Sequence, residues 1–102
     1  VQTCALPIYI GQSEIDFGSF PGSNEASVSV TGQSEISSTS SVEAFVMGDD
    51  STSQHTANDH KYLTALIGLS CSSPTAGVGF TIYARSLEKL QGTFKVRWVW
   101  AD

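Results

Sequence analysis

The sequence is poor in cationic residues, and those it has are confined to one half of the chain. Among 102 residues there are five Lys and Arg against ten Asp and Glu, which gives a formal net charge of −5. Residues 1–60 contain no Lys or Arg and carry a charge of −8, whereas residues 61–102 carry +3. Because binding to a nucleic-acid backbone needs clustered cations, this composition argues against a nucleic-acid partner. The two signs either mix in the folded protein or leave a polarised surface suited to contacts between copies.

Long apolar runs are lacking too. No run reaches the roughly 18–20 residues that a helix needs to span a bilayer. The first residues lack the basic and apolar regions of a secretory signal. We therefore expect no membrane partner.

Cysteine is scarce, with Cys4 and Cys71 alone. The segment Val1–Ile8 resembles a translated sequencing adapter, which indicates a coding sequence read from the end of an environmental (metagenomic) DNA contig. We interpret residues 1–10 as a non-native segment and residues 11–102 as a single domain; the alternative is a genuine short strand with Pro7 at a sheet edge. If the segment is native, Cys4 and Cys71 could form a disulfide. If it is not, as we favour, Cys71 is a lone thiol that packs as a small apolar side chain.

The sequence is rich in small hydroxyl side chains, and in several segments apolar and polar residues alternate. It contains 16 Ser, nine Thr and nine Gly, a composition that disfavours helices and suits strands joined by turns. In residues 92–100, the apolar side chains of Phe94, Val96, Trp98 and Trp100 alternate with polar ones, which is typical of a half-buried antiparallel strand. Further strands are predicted over residues 14–17, 26–31, 41–47, 62–71 and 78–84. The fold class is therefore all-β, a single antiparallel β-sandwich of six to seven strands, jelly-roll-like.

Three details of this assignment are open to direct comparison with the structure. Residues 41–47 are apolar on both faces apart from Glu43, which predicts a central, covered strand. Residues 48–60 are interpreted as a long polar loop or a single helical turn capped by Ser or Thr. Residues 85–91 are predicted to form a connector with one possible helical turn.

The polar stretch 48–60 holds the residues whose side chains could best bind a metal ion. Its acidic and imidazole side chains are those of Asp49, Asp50, His55, Asp59 and His60. Their spacing matches neither a calcium loop nor a His-Glu-x-x-His helix, so we interpret the stretch as a solvated surface loop and predict no metal and no cofactor. For His60 the structural alternative is a hydrogen bond to a neighbouring strand.

No arrangement for nucleophilic catalysis is apparent. The sequence has no Gly-x-Ser-x-Gly elbow, and Cys71 lies in an apolar run instead of the electropositive setting that a reactive thiol needs. We therefore predict no catalytic residues and no enzyme activity.

Aromatic residues suggest a contact surface. Sugar rings stack on exposed aromatic faces, and proteins use the same rings at interfaces. The candidates for an interface or a glycan contact are Tyr62, Tyr83, Arg97, Trp98 and Trp100. For Trp98 and Trp100 the stronger interpretation is the core, because they share a face with Phe94 and Val96. Tyr83 is the ring expected to be exposed.

Several short segments occur together in a pattern that resembles small proteins encoded by tailed bacteriophages and prophages, which are virion-associated or of unknown role. The resemblance spans residues 11–102. The segments are Gly11-Gln12, Ile15-Asp16-Phe17-Gly18, Pro21-Gly22, Val28-x-Val30-Thr31-Gly32-Gln33, Val42-Glu43-Ala44-Phe45, His55 to Asp59-His60, Gly79-Phe80-Thr81-Ile82 and Val96-x-Trp98-Val99-Trp100. The resemblance implies a virion location and a non-enzymatic structural protein, tail-associated or capsid-decorating, whose partners are other virion proteins and further copies of the chain in a trimer or larger oligomer.

Residues 41–100 are also weakly similar to the H-type lectin sandwich, through a Gly-Phe-x-Ile strand followed by a closing Val-x-Trp strand. That resemblance implies an alternative function, a glycan-binding module for host surface sugars. No sugar-contacting residue of that family maps onto this sequence.

Overall fold

The structure is a computed structural model, and it describes residues 8–48 and 50–101. Within them the chain forms six strands and one short helix. In chain order these are β1 Ile8–Asp16, β2 Ser23–Val30, β3 Ser41–Phe45, α1 Ala57–Leu63, β4 Ile67–Cys71, β5 Phe80–Leu90 and β6 Thr93–Ala101.

The strands form two three-stranded antiparallel sheets that pack together. One sheet has the order β1-β6-β3 and the other β2-β5-β4, so β6 and β5 each lie in the middle of a sheet. The predicted all-β sandwich with six strands is therefore confirmed. No helix in the described part of the chain is both long enough and apolar enough to cross a membrane.

The core lies between the two sheets and is filled mainly by inward side chains of alternate strand residues, with Phe17, Ile36 and Leu63 added from outside the strands. Its buried members are Ile15, Phe17, Val30, Ile36, Leu63, Phe80, Ile82, Ala84, Phe94, Val96, Trp98 and Trp100. Burying these apolar side chains is the main force that holds the sheets together. The predicted alternation of β6 is confirmed, because Phe94, Val96, Trp98 and Trp100 all face this core.

The prediction that residues 41–47 form a central strand is wrong. The strand β3 pairs with β6 on one side only, from Ser41 opposite Ala101 to Phe45 opposite Arg97, and lies at the edge of its sheet. Phe45 and Met47 are 38% and 42% exposed. Apolar side chains on both faces therefore do not mark a covered strand here, since the outer ones lie on the open surface of the sandwich.

Two other boundaries differ from the prediction. The connector expected over residues 85–91 is strand instead, because β5 continues to Leu90 and pairs with β2 and β4. The strand expected over residues 62–71 begins only at Ile67, since Tyr62 and Leu63 close α1. The Thr cap foreseen for a helical turn is confirmed: Thr56 is the N-cap of α1.

Residues 8–10, which we assigned to a non-native segment, form the start of β1. They pair with Val99, Trp100 and Ala101 of β6. Residues 1–7, including Cys4 and Pro7, lie outside the described residues, as does Asp49.

Candidate functional site

Trp98 and Trp100 are core residues. They are 7% and 1% exposed, and each indole N–H donates a hydrogen bond, from Trp98 to Ser13 Oγ at 3.3 Å and from Trp100 to Gln33 Oε1 at 3.0 Å. Trp100 also stacks on Tyr9 with ring centroids 4.2 Å apart. Their rings are engaged inside the sandwich, as the core interpretation requires, and offer no exposed face to a ligand.

Arg97 faces outward from β6 and is held by an ion pair. Its Nε and Nη2 donate to the two carboxylate oxygens of Asp50 at 2.9 and 2.7 Å, a two-pronged geometry. The Asp50 side chain is nearly buried, and the hydrogen bond from the guanidinium lowers the pKa of its carboxyl. The same bond raises the pKa of Arg97. The pair fastens the chain after β3 onto β6.

His60 is a structural residue. Its side chain is fully buried; Nδ1 lies 2.9 Å from the carbonyl oxygen of Thr56, and Nε2 accepts the backbone N–H of Lys95 at 3.0 Å. Because a carbonyl can only accept and an N–H can only donate, the ring must be neutral and protonated on Nδ1. The hydrogen bond to a strand, foreseen as the structural alternative, is confirmed. The interpretation of residues 48–60 as a solvated loop is wrong at this position.

His55 has partners of a different kind. Its ring stacks on Phe94 with centroids 3.8 Å apart, Nε2 lies 2.7 Å from the carbonyl oxygen of Gln91, and Nδ1 lies 3.1 Å from Asp59 Oδ2. Both nitrogens therefore face acceptors, and only the imidazolium form can donate to both.

Asp59 is shared between His55 and the start of α1. Its carboxylate accepts the backbone N–H of Thr56 at 3.1 Å, and the backbone N–H of Asp59 donates to Thr56 Oγ1 at 3.3 Å, which together form a capping box. The hydrogen bond from Thr56 and then that from His55 lower the pKa of Asp59. Asp59 thus caps the helix and fixes the imidazole.

Together these contacts give the polar stretch one role. The strand β3 stops at Phe45, opposite Arg97, so the first half of β6 has no strand on that side. Side chains take its place: Thr52 Oγ1 donates to the carbonyl oxygen of Thr93, Gln54 Oε1 accepts the Thr93 N–H, and His60 accepts the N–H of Lys95. We call residues 50–60 the polar cover of β6.

A metal site does not fit this arrangement. Both His60 nitrogens are committed to backbone groups, and Asp50 is committed to Arg97. Within residues 8–48 and 50–101, no three or more His, Cys, Asp or Glu side chains are grouped as a metal ion would need.

Cys71 is half-buried at the end of β4. Burial, and then the charge of Glu43, raise the pKa of its thiol, which favours the unreactive protonated form. The side chain packs against the core, as expected for a small apolar residue.

Tyr83 is exposed, as predicted, at 49%. It lies at the centre of the β2-β5-β4 sheet, on the outer face, between Ser27 of β2 and Ser70 of β4. One pair further along, Arg85 lies between Glu25 and Gly68. These six residues, together with Ala26 and Ala84, line an open depression of about 630 Å³, which we call the outer depression.

The sequence does not predict five of these six residues, although alternation in β2 does place Glu25 and Ser27 on one face. Tyr62, also exposed at 64%, is elsewhere: it lines a smaller apolar pocket of about 180 Å³ beside α1, with Leu63, Leu66 and Leu90. The structure therefore does not bring the two tyrosines into one site.

The outer face of the other sheet has an apolar end. Ile8 and Ile10 are 66% and 70% exposed on the edge strand β1, and their neighbours on β6 are Ala101 and Val99. We call these four residues the outer apolar patch. A contiguous apolar surface of this kind is typical of a contact site.

The opposite charges of the two halves of the chain mix in the fold. Arg85 donates to Glu25 Oε1, and Arg97 donates to Asp50, so both ion pairs join a cation of the second half to an acid of the first.

Comparison of the chain with protein-family models, with curated proteins and with solved structures finds no significant match.

Proposed function

We propose that the chain is a structural subunit of a tailed-bacteriophage virion, tail-associated or capsid-decorating, which acts through protein–protein contacts and not as an enzyme. The phage assignment rests on the sequence resemblance over residues 11–102. The contact function rests on one observation, the outer apolar patch. It takes Ile8 and Ile10 as part of the native chain, in place of the assignment of residues 1–10 to a non-native segment, because both residues pair in register with β6.

The patch is a costly surface to leave in water. Ile8 and Ile10 expose two thirds or more of their area, and the half-buried Val99 and Ala101 extend the apolar surface from β1 onto β6. Covering apolar surface gains roughly 25 cal/mol per Å², so a partner that excludes water from all four side chains gains a substantial free energy. The edge strand β1 borders the patch and adds backbone groups that a partner can pair with.

The occupant we propose is a second copy of the same chain. Charges of both signs lie on this outer face: exposed Glu43 lies beside Val99 of the patch, and Lys95, opposite exposed Glu14, lies four residues away along β6. A surface with an apolar centre and mixed charges is complementary to itself, because neighbouring copies can set opposite charges against each other. Around a symmetry axis near the patch, every copy contributes its isoleucines to one apolar contact. From the sequence we expect a trimer or a larger ring.

Solution mass tests this proposal. We would measure the mass of the full chain by light scattering, with and without a chelator, alongside the double variant Ile8→Asp, Ile10→Asp. A matched control is Leu87→Asp on the outer face of β5, because Leu87 is 81% exposed but lies on the other sheet.

The expected result is an oligomer of wild type and of the control, indifferent to chelator, and a folded monomer for the double variant. A monomeric wild type, or a double variant that still assembles, would overturn the contact function. The phage assignment has a separate test in the DNA that flanks the coding region, where we expect genes for tail or capsid components.

A further inference from the structure

We propose that the outer depression on the β2-β5-β4 sheet is a binding site for a neutral sugar ring, centred on Tyr83. The site lies on the sheet opposite the outer apolar patch and is built from one chain. It therefore does not depend on the oligomer proposed above, and the two can fail separately.

The first argument is the accessibility of the Tyr83 ring. Tyr83 is on the central strand β5, where most large side chains are covered by neighbours on both sides. Here both cross-strand neighbours, Ser27 and Ser70, are small, and Tyr83 is half exposed. An aromatic face flanked by small polar groups suits a ligand with an apolar face and a polar rim. A pyranose ring has both: C–H groups on one face and hydroxyls around its edge.

The second argument is the balance of donors and acceptors around the ring. Ser27 and Ser70 each offer a hydroxyl that donates and accepts. Next to them, Arg85 Nε and Nη2 donate to Glu25 Oε1 at 3.1 and 2.5 Å, and the pair is exposed, which leaves further N–H groups and carboxylate lone pairs open to a ligand. Adjacent sugar hydroxyls bind to such mixed groups.

The charge of the depression selects the class of sugar. Glu25 and Arg85 neutralise each other, and the remaining lining residues are uncharged. For an anionic sugar, repulsion by the Glu25 carboxylate would offset the attraction of the Arg85 guanidinium, because the two groups lie at similar distances from the ligand. The ligand class is therefore a neutral hexose or N-acetylhexosamine, and binding should depend little on salt.

The third argument is the space that Gly68 leaves. Gly68 is the cross-strand neighbour of Arg85, and a Cβ added there would meet no atom within 4 Å. The absence of a side chain opens the depression to about 630 Å³, within the range of roughly 300–1,000 Å³ typical of small-molecule sites.

The experiment is a titration of the ¹⁵N-labelled full chain, followed by NMR. The probes are the methyl glycosides of glucose, galactose, mannose and N-acetylglucosamine, with the methyl glycoside of N-acetylneuraminic acid as the anionic comparison. At least one neutral glycoside is expected to shift the amide signals of Ser27, Gly68, Ser70 and Tyr83. Because the depression is open, we expect a dissociation constant of about 1–10 mM.

Two variants act on the site in independent ways. Tyr83→Ala removes the stacking surface, and Gly68→Leu fills the space without touching Tyr83. Each is expected to weaken binding by at least about tenfold. The matched control is Tyr62→Ala, which removes a still more exposed tyrosine outside the depression and should bind as wild type.

Three results would overturn the proposal: no neutral glycoside shifts these signals, the anionic glycoside binds more tightly than every neutral one, or both variants bind as wild type. Since the two variants change different strands, misfolding of one leaves the other to decide. If an uncharged peptide shifts the same amides and the glycosides do not, the surface binds protein and the sugar assignment is wrong.

Discussion

His60 Nε2 accepts the backbone N–H of Lys95, so a helix side chain completes the hydrogen bonding of a strand. The bond lies beyond the end of β3, where β6 has lost its neighbour on that side. On the other side of the ring, Nδ1–H donates a hydrogen bond to the carbonyl oxygen of Thr56, the N-cap of α1. The imidazole thus joins α1 to the sheet.

The substitution His60→Ala is therefore expected to destabilise the protein by about 2–4 kcal/mol, because it opens a cavity and leaves the partly buried N–H of Lys95 without its acceptor. Denaturant unfolding measures the change. The control is Tyr62→Ala on the exposed side of α1, which we expect to change the free energy of unfolding by less than about 0.5 kcal/mol. Equal stabilities of the two variants would contradict the role we give His60.

The fold can be predicted from the sequence where apolar and polar side chains alternate clearly. In β6 polar and apolar side chains alternate from Thr93 to Trp98, and the packing of the apolar face against the core is predicted correctly. Over residues 41–47 the same logic fails, because Phe45 and Met47 are apolar yet exposed, and β3 lies at the edge of its sheet. Local alternation reports which residues can be buried, whereas strand order is decided by pairing between distant segments.

The polar cover of β6 could not be predicted for a related reason. His55 and His60 lie in a polar stretch with no periodicity, and their burial arises because the chain folds back over β6, more than 30 residues away. The outer depression could not be predicted either, because its residues also come from distant segments of the chain. Exposure of Tyr83 follows from alternation in β5, but its neighbours Ser27 and Ser70 are brought beside it only by the sheet order β2-β5-β4.

Acid should weaken the ion pair between Asp50 and Arg97. The guanidinium lowers the pKa of Asp50 in the folded state, while the unfolded value is about 3.9. The pair's contribution is therefore fully present above that value and is lost as the pH falls through the folded pKa. The difference in unfolding free energy between wild type and Asp50→Asn should be constant from about pH 7 to about pH 5 and should shrink below about pH 4.

Denaturant unfolding of both proteins across this pH range measures that difference. The control is Glu35→Gln, which makes the same change from carboxylate to amide at an exposed position. If the difference for Asp50→Asn persisted undiminished to about pH 2, the carboxylate charge would not be the stabilising feature.

Two strand glycines should respond to alanine in opposite ways. Gly11 lies opposite Trp98 in the pairing of β1 with β6, and a Cβ there would overlap the Trp98 indole, which the core holds in place. Gly11→Ala is therefore expected to cost about 1–3 kcal/mol. A Cβ at Gly68 meets nothing within 4 Å, so Gly68→Ala should be neutral or stabilise by up to about 1 kcal/mol, since alanine loses less backbone freedom on folding. Thermal and denaturant unfolding of the two variants would compare them directly. A tolerated Gly11→Ala would mean that the Trp98 ring can move aside, and that the core beneath β1 is looser than its packing indicates.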